Sequence, residues 1–278
     1  MKKVGIIGLG FVGGSINRFF KDKVDVFNFD INGDCNCLSL EEVIKKSEII
    51  FICLPTPMMK NKDCDLTIIK TALKSVSKVN SQDKTIVLKS TIPPGTCEKI
   101  SKEFKLPNLV FNPEFLTEAN AYNDFVNQDR IILGGSEKHT SILKSYFQTF
   151  FPNSEIVETD YTTAELVKYV TNCFLAVKVS FANEIFDLTE SLNINYQNLI
   201  NIAMLDKRLG LSHWSVPGPD GKRGFGGSCF PKDMNALNQF YKNRGLKSFI
   251  IDSSVKRNEE KDRTEKDWKL LKGRAVSE

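Results

Sequence analysis

Cys229 stands at the end of a glycine-rich loop, Gly224-Phe225-Gly226-Gly227-Ser228-Cys229-Phe230-Pro231-Lys232-Asp233. Pro231 suits the first position of a helix, and Met234, Leu237 and Tyr241 continue it at helical spacing. The thiol then sits just before a helix N-terminus, where the dipole and free backbone N–H groups favour thiolate. The glycines leave room for a ligand against the backbone. Cys229 is therefore a candidate nucleophile, whereas Cys53 and Cys173 read as buried structural thiols. A second chemistry lies at the other end of the chain. Gly8-Leu9-Gly10-Phe11-Val12-Gly13 is a G-x-G-x-x-G after a strand pattern and before a helix pattern, and Asp30 closes the next strand 22 residues after Gly8. That context is a dinucleotide fingerprint. Gly8 permits the tight turn, Gly10 lets a pyrophosphate approach backbone N–H groups, and Gly13 packs helix on strand. Asp30 is expected to accept hydrogen bonds from the adenosine ribose and to repel the extra phosphate of NADP, so NAD is the expected cofactor.

The elements that must position these groups change character along the chain. Val4 to Ile7, Val24 to Phe29, Ile49 to Cys53, Thr85 to Leu88, Leu109 to Phe111 and Ile131 to Leu133 are short apolar runs, each closed by turn residues. Helical patterns alternate with them at Val12 to Phe20, Leu40 to Lys46, Leu66 to Val76 and Thr96 to Phe104. This alternation predicts a Rossmann-like, doubly wound, mostly parallel sheet over residues 1–159. From Asp160 the pattern becomes helical. Thr162 and Glu165 read as a capping box for a long helix reaching Leu192, with apolar residues nearly all round. Such a helix should be buried between domains or in a dimer. Further helices are expected at Gln197 to Lys207 and Pro231 to Asn243, giving an all-helical dimerisation domain over 160–255. Residues 256–278 read as a charged tail.

Composition narrows the chemistry. The 278 residues include two histidines, His139 and His213, far apart in sequence, which disfavours a histidine metal site or a Ser-His-Asp hydrolase. Lys, Cys and carboxylates must then do the work. Cys35-Asn36-Cys37 has no further soft ligands nearby and reads as a turn, so no metal is expected. Seven cysteines without paired CxxC motifs suit reduced thiols in the cytoplasm. Lys2 and Lys3 precede an apolar stretch, but its glycines and missing cleavage site argue against a signal peptide. No run has the ~20 apolar residues of a membrane span. A net charge of +4, with mixed signs after Lys256, gives no reason to expect nucleic acid.

Several motifs, in order, resemble the UDP-glucose/GDP-mannose dehydrogenase family. These are the glycine turn, Pro55-Thr56-Pro57, Ser90-Thr91-Ile92-Pro93, Asn112-Pro113-Glu114-Phe115-Leu116-Thr117-Glu118, Glu165-Leu166-Val167-Lys168 with Asn172, and the cysteine loop. The resemblance runs from Lys2 to about Lys247. It implies oxidation of a nucleotide sugar's C6 alcohol to a carboxylate in two hydride transfers to NAD, with UDP-glucose the expected substrate, a homodimer, and a place in polysaccharide biosynthesis. Oxidising an aldehyde by hydride loss needs a tetrahedral adduct, and a Cys229 thiolate is a suitable nucleophile. Lys168 and Asn172, spaced i,i+4, share a helix face and can both donate to an oxyanion. Glu114 and Glu118 would be similarly spaced on a helix. The resemblance favours Glu114 as the base that activates water on the thioester, with Glu118 nearer the cofactor. It places Thr91 beside the reacting hydroxyl and counts Asp233 as catalytic, although Asp233 is also suited to capping its helix. It further implies cofactor contacts from Phe11, Val12, Thr56, Ser90 and Lys232. Substrate contacts are implied for Phe115, Leu116, Phe225, Gly226 and Gly227, and for Arg208 toward a partner subunit. His213 and Trp214 either contact ligand or pin their loop.

Two departures from the family remain. A single helix fits between Asp30 and Ile49, where the family usually has an additional helix and strand, so the adenine pocket is expected to be more open. The sequence ends at Glu278, without the family's third domain. Two other readings therefore stay open: a non-catalytic or regulatory NAD-binding dimer, and a single-step NAD-dependent alcohol or hydroxyacid dehydrogenase. The latter would use a lysine without a cysteine.

Overall fold

The computed structural model describes residues 2–79 and 83–277; the last residue of the expected tail, Glu278, lies outside them. The chain divides into two compact units. One takes the residues up to Thr56 together with Leu66–Lys168, and the other takes Pro57–Asp65 and the chain from Tyr169 onward. The division falls inside a helix rather than at residue 160, because the first two turns of that helix pack on the sheet.

In the first unit, β1 (Val4–Ile7), α1 (Phe11–Phe20), β2 (Val26–Phe29), α2 (Leu40–Lys46), β3 (Ile49–Ile52), α3 (Thr67–Lys78) and β4 (Thr85–Leu88) alternate. They are followed by α4 (Thr96–Glu103), β5 (Leu109–Phe111), α5 (Ala121–Val126), β6 (Arg130–Gly135), α6 (Glu137–Phe150) and β7 (Glu155–Thr159). The strands form one sheet in the order β2-β1-β3-β4-β5-β6-β7, parallel except for the β5–β6 pair. Strands β1, β3 and β4 are buried at every position, as expected for strands covered on both faces. One face packs Ile44, Leu73 and Ile100 from the helices, and the other packs Phe20, Phe125 and Phe147. Only α2 connects β2 to β3, as the short sequence interval requires. Ser39 caps α2 by accepting from Glu42 N, and Lys45 and Lys46 sit in its last turn. The sequence reading missed α5, α6 and β7. Strand β7 (EIVET) is half exposed, and its mixed polarity hides it.

α7 (Tyr161–Ser191) runs 31 residues across the division. Its cap differs from the expected Thr162–Glu165 box. Asp160 accepts from Thr163 N at 2.9 Å and from the Thr163 hydroxyl at 2.6 Å. The second unit continues with α8 (Tyr196–Ala203), a short turn at Lys207–Leu209, α9 (Phe230–Lys242) and α10 (Phe249–Arg257). α8 ends earlier than the predicted helix to Lys207, and α9 starts one residue earlier than predicted.

The expected charged tail is a correction. After α10 the chain forms a wide turn at Asn258–Asp262 and a 3-10 turn at Asp267–Leu270. Asn258, Asp262, Arg263, Trp268 and Ala275 are all buried, and Trp268 packs with Met58 and Ala275 in the same unit. The charges are internal partners: Arg257 pairs with Asp187, and Arg263 with Asp220 and Asp267. Alternating signs signalled self-pairing, not solvation.

Candidate active site

In the first unit the predicted residues collect at the carboxyl ends of the strands, where ligands of such sheets bind. The glycine turn joins β1 to α1, and Gly10 is the residue before the helix. A Cβ on Gly13 would lie 1.8 Å from Gly8 O, so only glycine allows this helix to approach the strand; a Cβ on Gly10 would meet nothing within 4 Å. Open space beside the N-terminus of α1 is what a pyrophosphate needs. Asp30 follows β2 and accepts from Leu9 N at 2.5 Å and Asn32 N at 2.8 Å. The acid therefore shapes the glycine turn. Phe11 and Val12, half-buried, open α1.

Neighbouring strand ends are tied to one another. Ser90 donates its hydroxyl to Leu54 O at 2.6 Å, and Thr56 donates to Thr91 O at 2.7 Å. The ammonium of Lys89, which sequence reasoning passed over, is buried and donates to Asn112 Oδ1 at 2.8 Å and Asn112 O at 3.2 Å. Burial pulls the Lys89 ammonium down to about 8, with nearby Cys53 and Glu114 opposing that fall and Lys168 adding to it. Asn112 passes its own amide to Ile132 O at 2.9 Å. A lysine directly after the apolar strand run Ile86-Val87-Leu88 was the available signal.

The segment from Asn112 to Thr117 has no helix and Glu118 opens a turn, so Glu114 and Glu118 do not form the helical pair considered from spacing. Pro113 disfavours helix for its predecessor. Glu114 is buried and receives Lys168 Nζ at 3.0 Å on one oxygen and Leu116 N at 2.6 Å on the other. Glu118 is exposed. Lys168 is 3% exposed, and its ammonium also lies 5.4 Å from the Phe115 ring centre. The polar cavity beside them has a volume of about 430 Å³, with Lys89, Glu114, Phe115, Leu116 and Arg130 among its walls.

One turn before Lys168, Glu165 is fully buried and accepts from Gly95 N at 2.5 Å and Cys97 N at 2.6 Å, at the start of α4. Burial outweighs these bonds and raises its carboxyl to about 7. The folded state thus holds this proton more tightly than the unfolded chain, whose value is 4.5. The resulting stabilisation is complete below pH 4.5 and is lost as pH rises through about 7. Glu165→Gln should therefore destabilise the protein more at pH 5 than at pH 8, read from urea midpoints. A penalty that grows with pH would mean that the N–H bonds keep the group charged.

In the second unit, Cys229 is the residue before α9 and is half-buried, with Pro231 in the first turn. Asp233 makes no cap. It accepts from Asn172 Nδ2 at 2.6 Å and from Lys232 Nζ at 2.5 Å, and all three side chains are buried. Burial works against the Lys232 ammonium, but Asp233, with Cys64 and Cys229 beyond it, outweighs burial and holds its pKa above the ordinary lysine value. Burial raises the thiols of Cys37, Cys53, Cys97 and Cys173. Gly227 is open, but Gly224 and Gly226 are not free for a ligand, contrary to the expectation for the loop: Asn258 and Arg263 occupy the space beside them. Phe225 is buried. Trp214 pins its loop by donating to Gly210 O at 2.9 Å, and His213 lies against Phe230. The Arg208 side chain is 90% exposed and pairs with Asp206. Among the described residues no group of three or more Cys, His or carboxylate side chains is placed to hold a metal.

The glycine turn, the acid after β2 and the parallel sheet define a Rossmann-like dinucleotide-binding protein carrying a buried lysine and a helix-start cysteine. Comparison with known proteins is more specific. Residues 36–151 match the NAD binding domain, and residues 162–260 the central domain, of the UDP-glucose/GDP-mannose dehydrogenase family. The chain belongs to that family. It is 39% identical over 226 residues to the UDP-glucose 6-dehydrogenase of Rickettsia bellii, covering 79% of this chain and 51% of the relative. It is 36% identical over 252 residues to UDP-glucose 6-dehydrogenase TuaD of Bacillus subtilis, covering 86% and 53%. The chain thus spans about half the length of the curated relatives it matches. The solved UDP-glucose dehydrogenase of Pyrobaculum islandicum superposes with a TM-score of 0.84 at 29% identity, covering 93% of this chain and 68% of that one.

Proposed function

We propose that the chain acts as an NAD-dependent nucleotide-sugar dehydrogenase that oxidises a C6 alcohol to a carboxylate, with UDP-glucose as substrate and UDP-glucuronate as product. The observation that carries the reading concerns one helix. α7 sets Lys168 on Glu114 and, one turn later, Asn172 on Asp233, four residues past Cys229. The names of the curated relatives support UDP-glucose.

NAD would be held by the glycine turn and Asp30 with Phe11, Val12, Thr56, Ser90 and Glu118, to which the family resemblance adds Lys232, and would supply the hydride acceptor. Thr91 stands beside the reacting hydroxyl. Cys229 adds to the aldehyde to give a thiohemiacetal and, after the second oxidation, carries a thioester. Lys168 and Asn172 donate to the oxygen that gains charge. Glu114, paired with Lys168, takes the proton of the hydrolytic water, and Asp233 orients Asn172. In the first unit Phe115 and Leu116 face the substrate; in the second, Gly227 is left open to it, whereas Phe225 is buried and the space beside Gly226 is filled by Arg263. Production of NADH from a panel of UDP- and GDP-sugars tests the reading, with UDP-glucose expected to be the best; no NADH from any of them would overturn it.

Cofactor choice gives a sharper expectation. Asp30 should favour NAD over NADP by about tenfold or more, near 1.4 kcal/mol, in calorimetric titration. Equal binding would remove Asp30 from the ribose.

Assembly follows from the outer face of α7. Val170, Phe174, Phe181 and Leu188 are each more than half exposed, as are Ile202 and Leu205 beyond them. A patch this apolar is normally covered, and a homodimer across α7 would cover it and let Arg208 reach a partner's substrate. Light scattering at micromolar concentration should give the mass of a dimer. A stable monomer would contradict this. Among the described residues no cysteine is joined in a disulfide, which suits the cytoplasm, and no helix is long and apolar enough to cross a membrane.

A further inference from the structure

The segment after Lys256 returns to the cysteine loop. Asn258, 1% exposed, pairs with both backbone groups of Phe225: it accepts from Phe225 N at 2.8 Å and donates to Phe225 O at 2.9 Å. Both groups are buried and would otherwise lose their partners. A Cβ on Gly224 would lie 2.3 Å from Asn258 Oδ1, and one on Gly226 would lie 2.3 Å from Arg263 Cζ. The two glycines are therefore required by these side chains. Arg263 is itself fixed, donating to Asp220 at 2.5 Å and to both Asp267 oxygens at 2.8 Å. Arg263 lies beyond the residues matched to the family's central domain, which end at 260.

We propose that Asn258 and Arg263 are positioning residues for Cys229, clamping the Gly224–Ser228 loop so that the thiol is held at the start of α9. This rests on the reading of Cys229 as the nucleophile. Neither residue touches the reacting atoms. The loop between Gly224 and Cys229 makes few regular backbone bonds of its own, so its conformation is set by what lies against it. Asn258 fixes the loop at Phe225, and the Arg263 guanidinium fixes it at Gly226, three residues before the thiol. Loosening either contact should leave an accessible thiol in the wrong place.

The test uses the full chain with Asn258→Ala and Arg263→Lys, the second keeping the charge but losing the planar fork. Iodoacetamide labelling of each cysteine is followed by peptide mass spectrometry, alongside steady-state kinetics on UDP-glucose. Cys229 labelling should accelerate about fivefold or more, while buried Cys173 in the same unit stays protected. In parallel kcat should fall about a hundredfold with KM little changed. Unchanged Cys229 labelling would overturn the proposal. So would equal acceleration at Cys173, which would show that the two residues merely hold the unit together. If wild-type protein makes no NADH from any nucleotide sugar, the dehydrogenase reading fails, and labelling alone still decides the clamp.

Discussion

Cys229→Ala is expected to abolish formation of the uronic acid, lowering its rate by roughly four orders of magnitude or more, while NAD binding is unchanged. The glycine turn and Asp30 lie in the first unit and Cys229 in the second, so the substitution leaves the glycine turn and Asp30 unchanged. Alanine removes the loop's thiol, the group that forms the thiohemiacetal, and without that adduct the aldehyde has no hydride to give beyond its hydrated form. Cys229→Ser separates nucleophile from leaving group. Its ester should hydrolyse slowly, so a sugar adduct should accumulate on the peptide that carries the substituted position and be visible by mass spectrometry. Uronic acid made by Cys229→Ala at the wild-type rate would end the covalent account.

The second large effect concerns Lys168. Its ammonium and the Glu114 carboxylate are both buried and 3.0 Å apart. Lys168→Met leaves that carboxylate without its cation in a low-dielectric site, which should cost about 3–5 kcal/mol of stability. Loss of the oxyanion donor should also lower kcat by roughly 10²–10³-fold. Stability and catalysis can be separated by adding Glu114→Gln to Lys168→Met. Without a charge left to neutralise, the double variant should recover most of the lost stability in urea denaturation and none of the activity. Recovery of activity along with stability would remove both Lys168 and Glu114 from the chemistry and leave them a structural pair.

The sheet was legible because β1, β3 and β4 are short, almost wholly apolar and closed by turn residues, a pattern that burial on both faces imposes. β7 was not, since an edge strand half in water carries no such signature. The glycine turn could be read because its glycines answer a local need: Gly13 admits no side chain against Gly8 O. The glycines of the cysteine loop misled. Gly224 and Gly226 answer to Asn258 and Arg263, more than thirty residues later in the chain, and no local spacing announces that. Likewise Glu165 looked like the end of a capping box, because its real partners, the N–H groups of Gly95 and Cys97, come from another helix. Pairing of Asp233 with Asn172 rather than with its own helix start is the same kind of event. Side chains that bond locally could be read from sequence; those that bond across the fold could be named as candidates but not assigned partners.

Stoichiometry tests the central claim most directly. With UDP-glucose limiting and NAD in excess, NADH is followed by absorbance and the sugar products are resolved by mass spectrometry at completion. The account predicts two NADH for each UDP-glucose consumed and UDP-glucuronate as the sole product. One NADH per sugar, with free aldehyde accumulating, would contradict it.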